Sequence, residues 1–138
     1  MPKYIITDHT ADIGFYAFGD TLPELFLNAA LALFTIITDL SKVEEKTEYR
    51  LEITGIDREQ LLVKWLNELL YLHDTENLLF KGFYITGMGD NHLNAIVRGE
   101  VFTEGKHFIL TGVKAVTYHN LSITQEDHQW KARIIIDL

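Results

Sequence analysis

Three groups of residues have the types and spacing to do chemistry. The first is Asp8-His9-Thr10-Ala11-Asp12, which puts two carboxylates, an imidazole and a hydroxyl between two strand-like segments. Such residues serve a polar turn, with Asp8 and Thr10 bonding their own backbone, or a site where carboxylate and imidazole act as ligands or acid–base groups. The second is the C-terminal end. Asp137 follows the apolar run Ile134-Ile135-Ile136, and Leu138 brings an α-carboxylate one residue later. If Asp12 sits at the neighbouring strand end, three anionic oxygen donors converge, which is unfavourable unless a cation or protons neutralise them. Oxygen-only donors select Ca²⁺, Mg²⁺ or Mn²⁺ over zinc; carboxylates that simply face water are the alternative. The third is Lys114, inside Val113-Lys114-Ala115-Val116-Thr117-Tyr118-His119. It reads either as a solvent-facing lysine or as an ammonium that holds an acidic cluster or reaches a partner's phosphate.

Other chemistries are excluded by what the sequence lacks. It has no phosphate-binding G-x-x-x-x-G-K-[ST], no dinucleotide G-x-G-x-x-G, no H-E-x-x-H and no G-x-S-x-G elbow. Gly87-x-Gly89 leads into a strand pattern and reads as a turn. The six histidines form no helical i, i+4 pair, so zinc is not expected; His73 is accounted for by a helix C-terminus. With no cysteine there is no disulfide, thiolate ligand or thiol nucleophile.

The elements that must position these residues follow from local pattern. Residues 3–7 and 13–18 read as strands paired in a hairpin, with the polar stretch at its bend. Thr21-x-x-Glu24 is a capping box with Pro23 in the first turn, and apolar residues at helical spacing carry a helix to near Thr38. The charged run 40–48 reads as a solvated linker, and 49–54 alternates as a strand with one buried face. Asp57 and Gln60 cap a second helix. Its leucines and Trp65 occupy more than one face, which places it between the sheet and either the first helix or a neighbouring subunit. Residues 82–86, 92–102, 113–123 and 129–136 read as strands. The order β-β-α-β-α-β-β-β-β predicts an α+β fold, two helices packed on one face of a mostly antiparallel sheet, as a single domain over 1–138.

Composition sets the wider limits. An apolar fraction of 47% in 138 residues suits one globular core. The N-terminal residues lack the apolar run of a signal peptide, and no stretch approaches the roughly 18 apolar residues of a membrane span; the expected compartment is the cytoplasm. Twelve basic against twenty acidic residues leave a net charge of −8. That argues against unaided phosphate-backbone binding and suits a hard cation or a basic protein partner.

Five separated blocks, in order, resemble the archease family over essentially the full length. They are Asp8-His9-Thr10-Ala11-Asp12-Ile13-Gly14-Phe15; Leu25-Phe26 with Asn28-Ala29-Ala30; Leu61-Leu62-x-x-Trp65-Leu66-Asn67-Glu68-Leu69-Leu70; the block from Val113 to His119; and Ile136-Asp137-Leu138. Only the last residue differs in type from the isoleucine often found there. The resemblance implies a non-catalytic activator of the RtcB-type RNA ligase. That ligase joins 2′,3′-cyclic-phosphate or 3′-phosphate RNA ends to 5′-hydroxyl ends in tRNA splicing and RNA repair, using GTP and Mn²⁺ through a guanylylated histidine. The activator would promote guanylylation and multiple turnover, and would meet RNA only through the ligase. The family's metal positions fall on Asp12, Asp137 and the Leu138 carboxylate, a calcium-type site with Mg²⁺ or Mn²⁺ as alternatives. Its functional lysine falls on Lys114, with Asp8, His9 and His119 in the same partner-facing blocks. Two other readings stay open: a general chaperone or modulator of nucleic-acid enzymes, and a metal-dependent enzyme using Asp8, His9 and Asp12. A homo-oligomer is also left open.

Overall fold

The computed structural model describes residues 2–8 and 13–138, Asp8 by its backbone alone. The described elements are β1 (Tyr4–Asp8), β2 (Ile13–Gly19), α1 (Leu22–Ile37), β3 (Thr47–Thr54), α2 (Arg58–Glu76), β4 (Leu78–Met88), β5 (His92–Val101), β6 (Ala115–Glu126) and β7 (Gln129–Asp137). This is the α+β order read from the sequence. All pairings are antiparallel, but the strands are divided between two sheets, β1-β2-β7-β6 and β3-β5-β4. Alternation marks a strand with one buried face; it does not name the strand's neighbour, so the division was not visible in the pattern.

Both helices start where their caps require. Thr21 Oγ1 accepts the Glu24 N–H at 3.2 Å, and Glu24 Oε1 accepts the Asp20 N–H at 3.4 Å. Asp57 Oδ1 accepts the Gln60 N–H at 2.8 Å while Gln60 Oε1 accepts the Ile56 N–H at 2.8 Å; in both boxes the return bond goes to the residue just before the cap. Asn77, at φ 56°, ends α2 in the left-handed region and turns the chain directly into β4.

Each helix lies against strands of both sheets, α1 on β2 and β4, α2 on β6 and β3. The core therefore sits around the helices. Leu25, Phe26, Leu33 and Phe34 of α1 and Leu61, Leu62, Trp65, Leu66 and Leu69 of α2 are wholly buried in it. The two-sided apolar pattern of α2 is explained inside the domain: it packs against α1 on one side and strands on the others. Trp65 Nε1–H donates to the Phe26 carbonyl at 3.0 Å, so the largest buried side chain also satisfies its one polar atom. Among the described residues, no helix is long and apolar enough to cross a membrane.

Candidate functional site at the β6–β7 pole

Strand register brings three segments to one end of the four-stranded sheet. Ile13, the first residue of β2, pairs with Ile136, and Ala115, the first residue of β6, pairs with Asp137. Lys114, just before β6, donates its backbone N–H to the Asp137 carbonyl at 2.8 Å. Lys114, Asp137 and Leu138 are all exposed at this pole. Asp12 and His9, assigned to the site from the sequence, lie outside the described residues, as does the Asp8 side chain. Among the described residues, no three His, Asp or Glu side chains are close enough together to hold a metal. A cluster made with Asp12 would involve a residue outside that set.

Two devices fix the pole. Gly14 pairs with Ile135, and a Cβ there would meet the Ile134 carbonyl oxygen at 2.5 Å, so only glycine lets β2 lie this close to β7. Asn67, on α2, clasps β6: its Oδ1 accepts the Val116 N–H at 2.8 Å and its Nδ2 donates to the Val116 carbonyl at 3.0 Å. The amide thus completes both backbone bonds of a residue at the sheet's edge, two residues along α2 from the buried Trp65.

His119 stands apart from the pole. The continuous strand expected over 113–123 is broken by a bulge: Thr117 pairs with Ile135, but the next pair is Ser122 with Arg133. Residues Tyr118, His119 and Asn120 are pushed out and exposed, with Asn120 at φ 52°. The Thr117 hydroxyl steadies the bulge, donating to the Ile135 carbonyl at 3.1 Å and accepting the His119 N–H at 3.2 Å. Bulges of this kind re-aim side chains and interrupt an edge.

A second polar cluster was not found from the sequence. Glu100, near the end of β5, is buried, and so is His107. Glu100 Oε2 accepts the Glu44 N–H at 2.7 Å, and Lys106 Nζ donates to Glu100 Oε1 at 3.0 Å and to Glu44 Oε2 at 2.9 Å. The Thr103 N–H donates to His107 Nδ1 at 2.9 Å. With Nδ1 accepting, the ring's Nε2–H donates to Glu100 Oε2 at 3.1 Å. Burial opposes the charge on Glu100, but the Glu44 N–H, Lys106 and His107 outweigh it and bring the carboxyl down from 4.5 to about 2. The run expected as a solvated linker is thus only partly that: its backbone satisfies a buried carboxylate.

The fold class is a small α+β domain of two antiparallel sheets around two helices. The model of the archease protein family matches residues 4–138. A protein archease from Methanothermobacter thermautotrophicus is 50% identical, covering 100% of both chains. The solution structure of a Methanobacterium thermoautotrophicum protein superposes with a TM-score of 0.83 at 47% identity, over 100% of both chains. The crystal structure of a Thermotoga maritima archease, described as a possible chaperone, shares the fold with a TM-score of 0.64 at 20% identity, covering 96% of this chain and 94% of that one. The chain belongs to the archease family.

Proposed function

We propose that this protein activates an RtcB-type RNA ligase in tRNA splicing and RNA repair, promoting guanylylation of the ligase and its multiple turnover without being an enzyme itself. The observation that carries the reading is the convergence of family-matching blocks on one pole: the start of β2, the Lys114 segment and Asp137 meet through strand register. In this reading Asp12, Asp137 and the Leu138 carboxylate hold a divalent cation, calcium ahead of Mg²⁺ or Mn²⁺. Those donors are all oxygens, the set a hard cation takes. Bound there, the cation would supply positive charge at an otherwise acidic pole. In the same reading the exposed Lys114, whose backbone is bonded to Asp137, would meet a phosphate of the ligase-bound nucleotide. An acidic molecule of net charge −8 suits a partner whose own site handles nucleotide and RNA.

The test is ligase guanylylation from GTP and Mn²⁺, with and without this protein, comparing wild type with Asp137→Ala. Wild type should accelerate the reaction, and Asp137→Ala, an exposed substitution that leaves the core intact, should lose about tenfold or more of that stimulation. Equal stimulation by both proteins would remove the carboxylate site from the reading; no stimulation by wild type would remove the activator role. A chaperone role is the second reading. It is supported by an exposed apolar triplet, Phe108, Ile109 and Leu110, and predicts suppressed aggregation of unrelated proteins.

A further inference from the structure

The connection from β5 to β6 exposes three large apolar side chains in succession. Phe108 is 65% exposed, Ile109 44% and Leu110 62%. Their backbone, by contrast, is pinned. The buried Thr38, which ends α1, donates its hydroxyl to the Phe108 carbonyl at 2.6 Å, Leu110 N–H donates to the Ile37 carbonyl at 2.8 Å, and Thr38 forms a β-bridge with Ile109. The root of the segment is tied as well, since His107 is held between Thr103 and Glu100. The Phe108 carbonyl and the Leu110 N–H are thus held by the end of α1 while the apolar side chains face water. That costs hydration free energy in the isolated protein and presents a preorganised apolar surface, which lowers the ordering cost of binding.

Leu110 lies four residues before Lys114, so the two are at most about 14 Å apart along even a fully extended chain. The triplet therefore lies near enough to the pole for one interface of ordinary size to cover both.

We infer that residues 108–110 are an apolar anchor that inserts into an apolar depression on the same protein partner that receives the Lys114–Asp137 pole. The inference rests on the activator reading above, with the ligase as that partner. Nearness to the pole favours the ligase over an unrelated client. It also divides the labour: Phe108 and Leu110 supply affinity, as buried apolar anchors do, whereas the polar groups act on the nucleotide and metal. The hydrogen bonds of Thr38 and the Glu100–His107 pair make these three positioning residues for the anchor.

The experiment titrates the ligase with wild type and with Phe108→Ser/Leu110→Ser, reading the activator concentration for half-maximal guanylylation and the rate at saturation. Both side chains are exposed, so the melting temperature should hold within a few degrees. The conservative pair Phe108→Leu/Leu110→Met should bind like wild type. The expected result is an increase of about ten- to hundredfold in the half-maximal concentration, with the change falling there rather than in the saturating rate, the opposite of Asp137→Ala. An unchanged half-maximal concentration overturns the anchor while leaving the activator role standing. So does a wild-type dimer, seen by sedimentation, that the double serine variant dissociates, because the triplet would then cover a second copy. Loss of aggregation suppression on an unrelated protein, with ligase activation intact, assigns the triplet to general client binding and also overturns it. If wild type does not activate the ligase at all, the activator reading fails and the anchor falls with it.

Discussion

Glu100 keeps its charge because of what surrounds it. A buried carboxylate alone would favour protonation, but a backbone N–H, an ammonium and an imidazole N–H together hold it ionised down to about pH 2. Since the folded value lies below the ordinary 4.5, the ionised group stabilises the fold fully above pH 4.5, and that contribution is lost as pH falls through 2. Glu100→Gln keeps the shape and removes the charge. It should lower stability at pH 7 by about 2 kcal/mol, with the gap to wild type closing between pH 4.5 and 2. Urea midpoints across that range check this; a gap that stays constant with pH would show that Glu100 contributes shape rather than charge. The residue was hidden from sequence reading for a physical reason. Alternation along β5 places Glu100 with the outward-facing Asn94 and Arg98, and only the crossing of the 43–46 segment and the 103–107 turn buries it. Lys114 and Asp137 were legible as candidates because a cation and an acid beside apolar runs stand out locally, whereas their meeting depends on strand register.

Elements with local signals were read well. The boxes Thr21 to Glu24 and Asp57 to Gln60 mark both helix starts, and each is formed as expected. Elements defined by distant neighbours were not. β4 begins at Leu78, four residues before the strand read over 82–86, because Leu78, Leu79 and Phe80 are all buried and show no period of two. The bulge at residues 118–121 left only a faint trace: the apolar positions pass from even (Val116, Tyr118) to odd (Leu121, Ile123) across the polar pair His119-Asn120. Gly14 shows how tightly the β2–β7 pairing is built. With Ala at this position, Cβ would press on the Ile134 carbonyl at 2.5 Å and the Ile135 Cδ1 at 3.0 Å. Neither the backbone of a central strand nor a buried isoleucine gives way cheaply, so the substitution should cost about 1–3 kcal/mol and lower the melting temperature by roughly 3–10 °C. A melting temperature within a degree of wild type would mean that the pairing can open without loss, and that the glycine does not set the spacing of the pole.

At the scale of the whole molecule, charge decides what the protein can hold without its partner. Several of its cations are already matched within the fold: Arg98 with Glu48, Arg58 with Asp90, and Lys46 and Lys106 with Glu44 and Glu100. Phosphate-backbone binding draws its free energy from releasing counterions when several unpaired Lys or Arg meet a strand, with a slope of about −0.7 in log K against log salt for each single-strand phosphate neutralised. A surface of net charge −8 repels that strand before any contact forms. The protein alone should therefore bind a single-stranded RNA bearing a 3′-phosphate more weakly than about 10⁻⁴ M, the weak end of non-specific binding. Adding salt from 50 to 200 mM, a range chosen because it spans roughly a thousandfold loss for a true backbone binder, should change the anisotropy of a labelled RNA very little. Adding the ligase should convert the same RNA to a bound signal. Micromolar binding without ligase, lost steeply with salt, would place an RNA site on this chain itself and shift the activator reading toward direct substrate delivery. Salt-insensitive micromolar binding would instead indicate contacts to bases, with Tyr118 on the exposed bulge as the side chain to replace first.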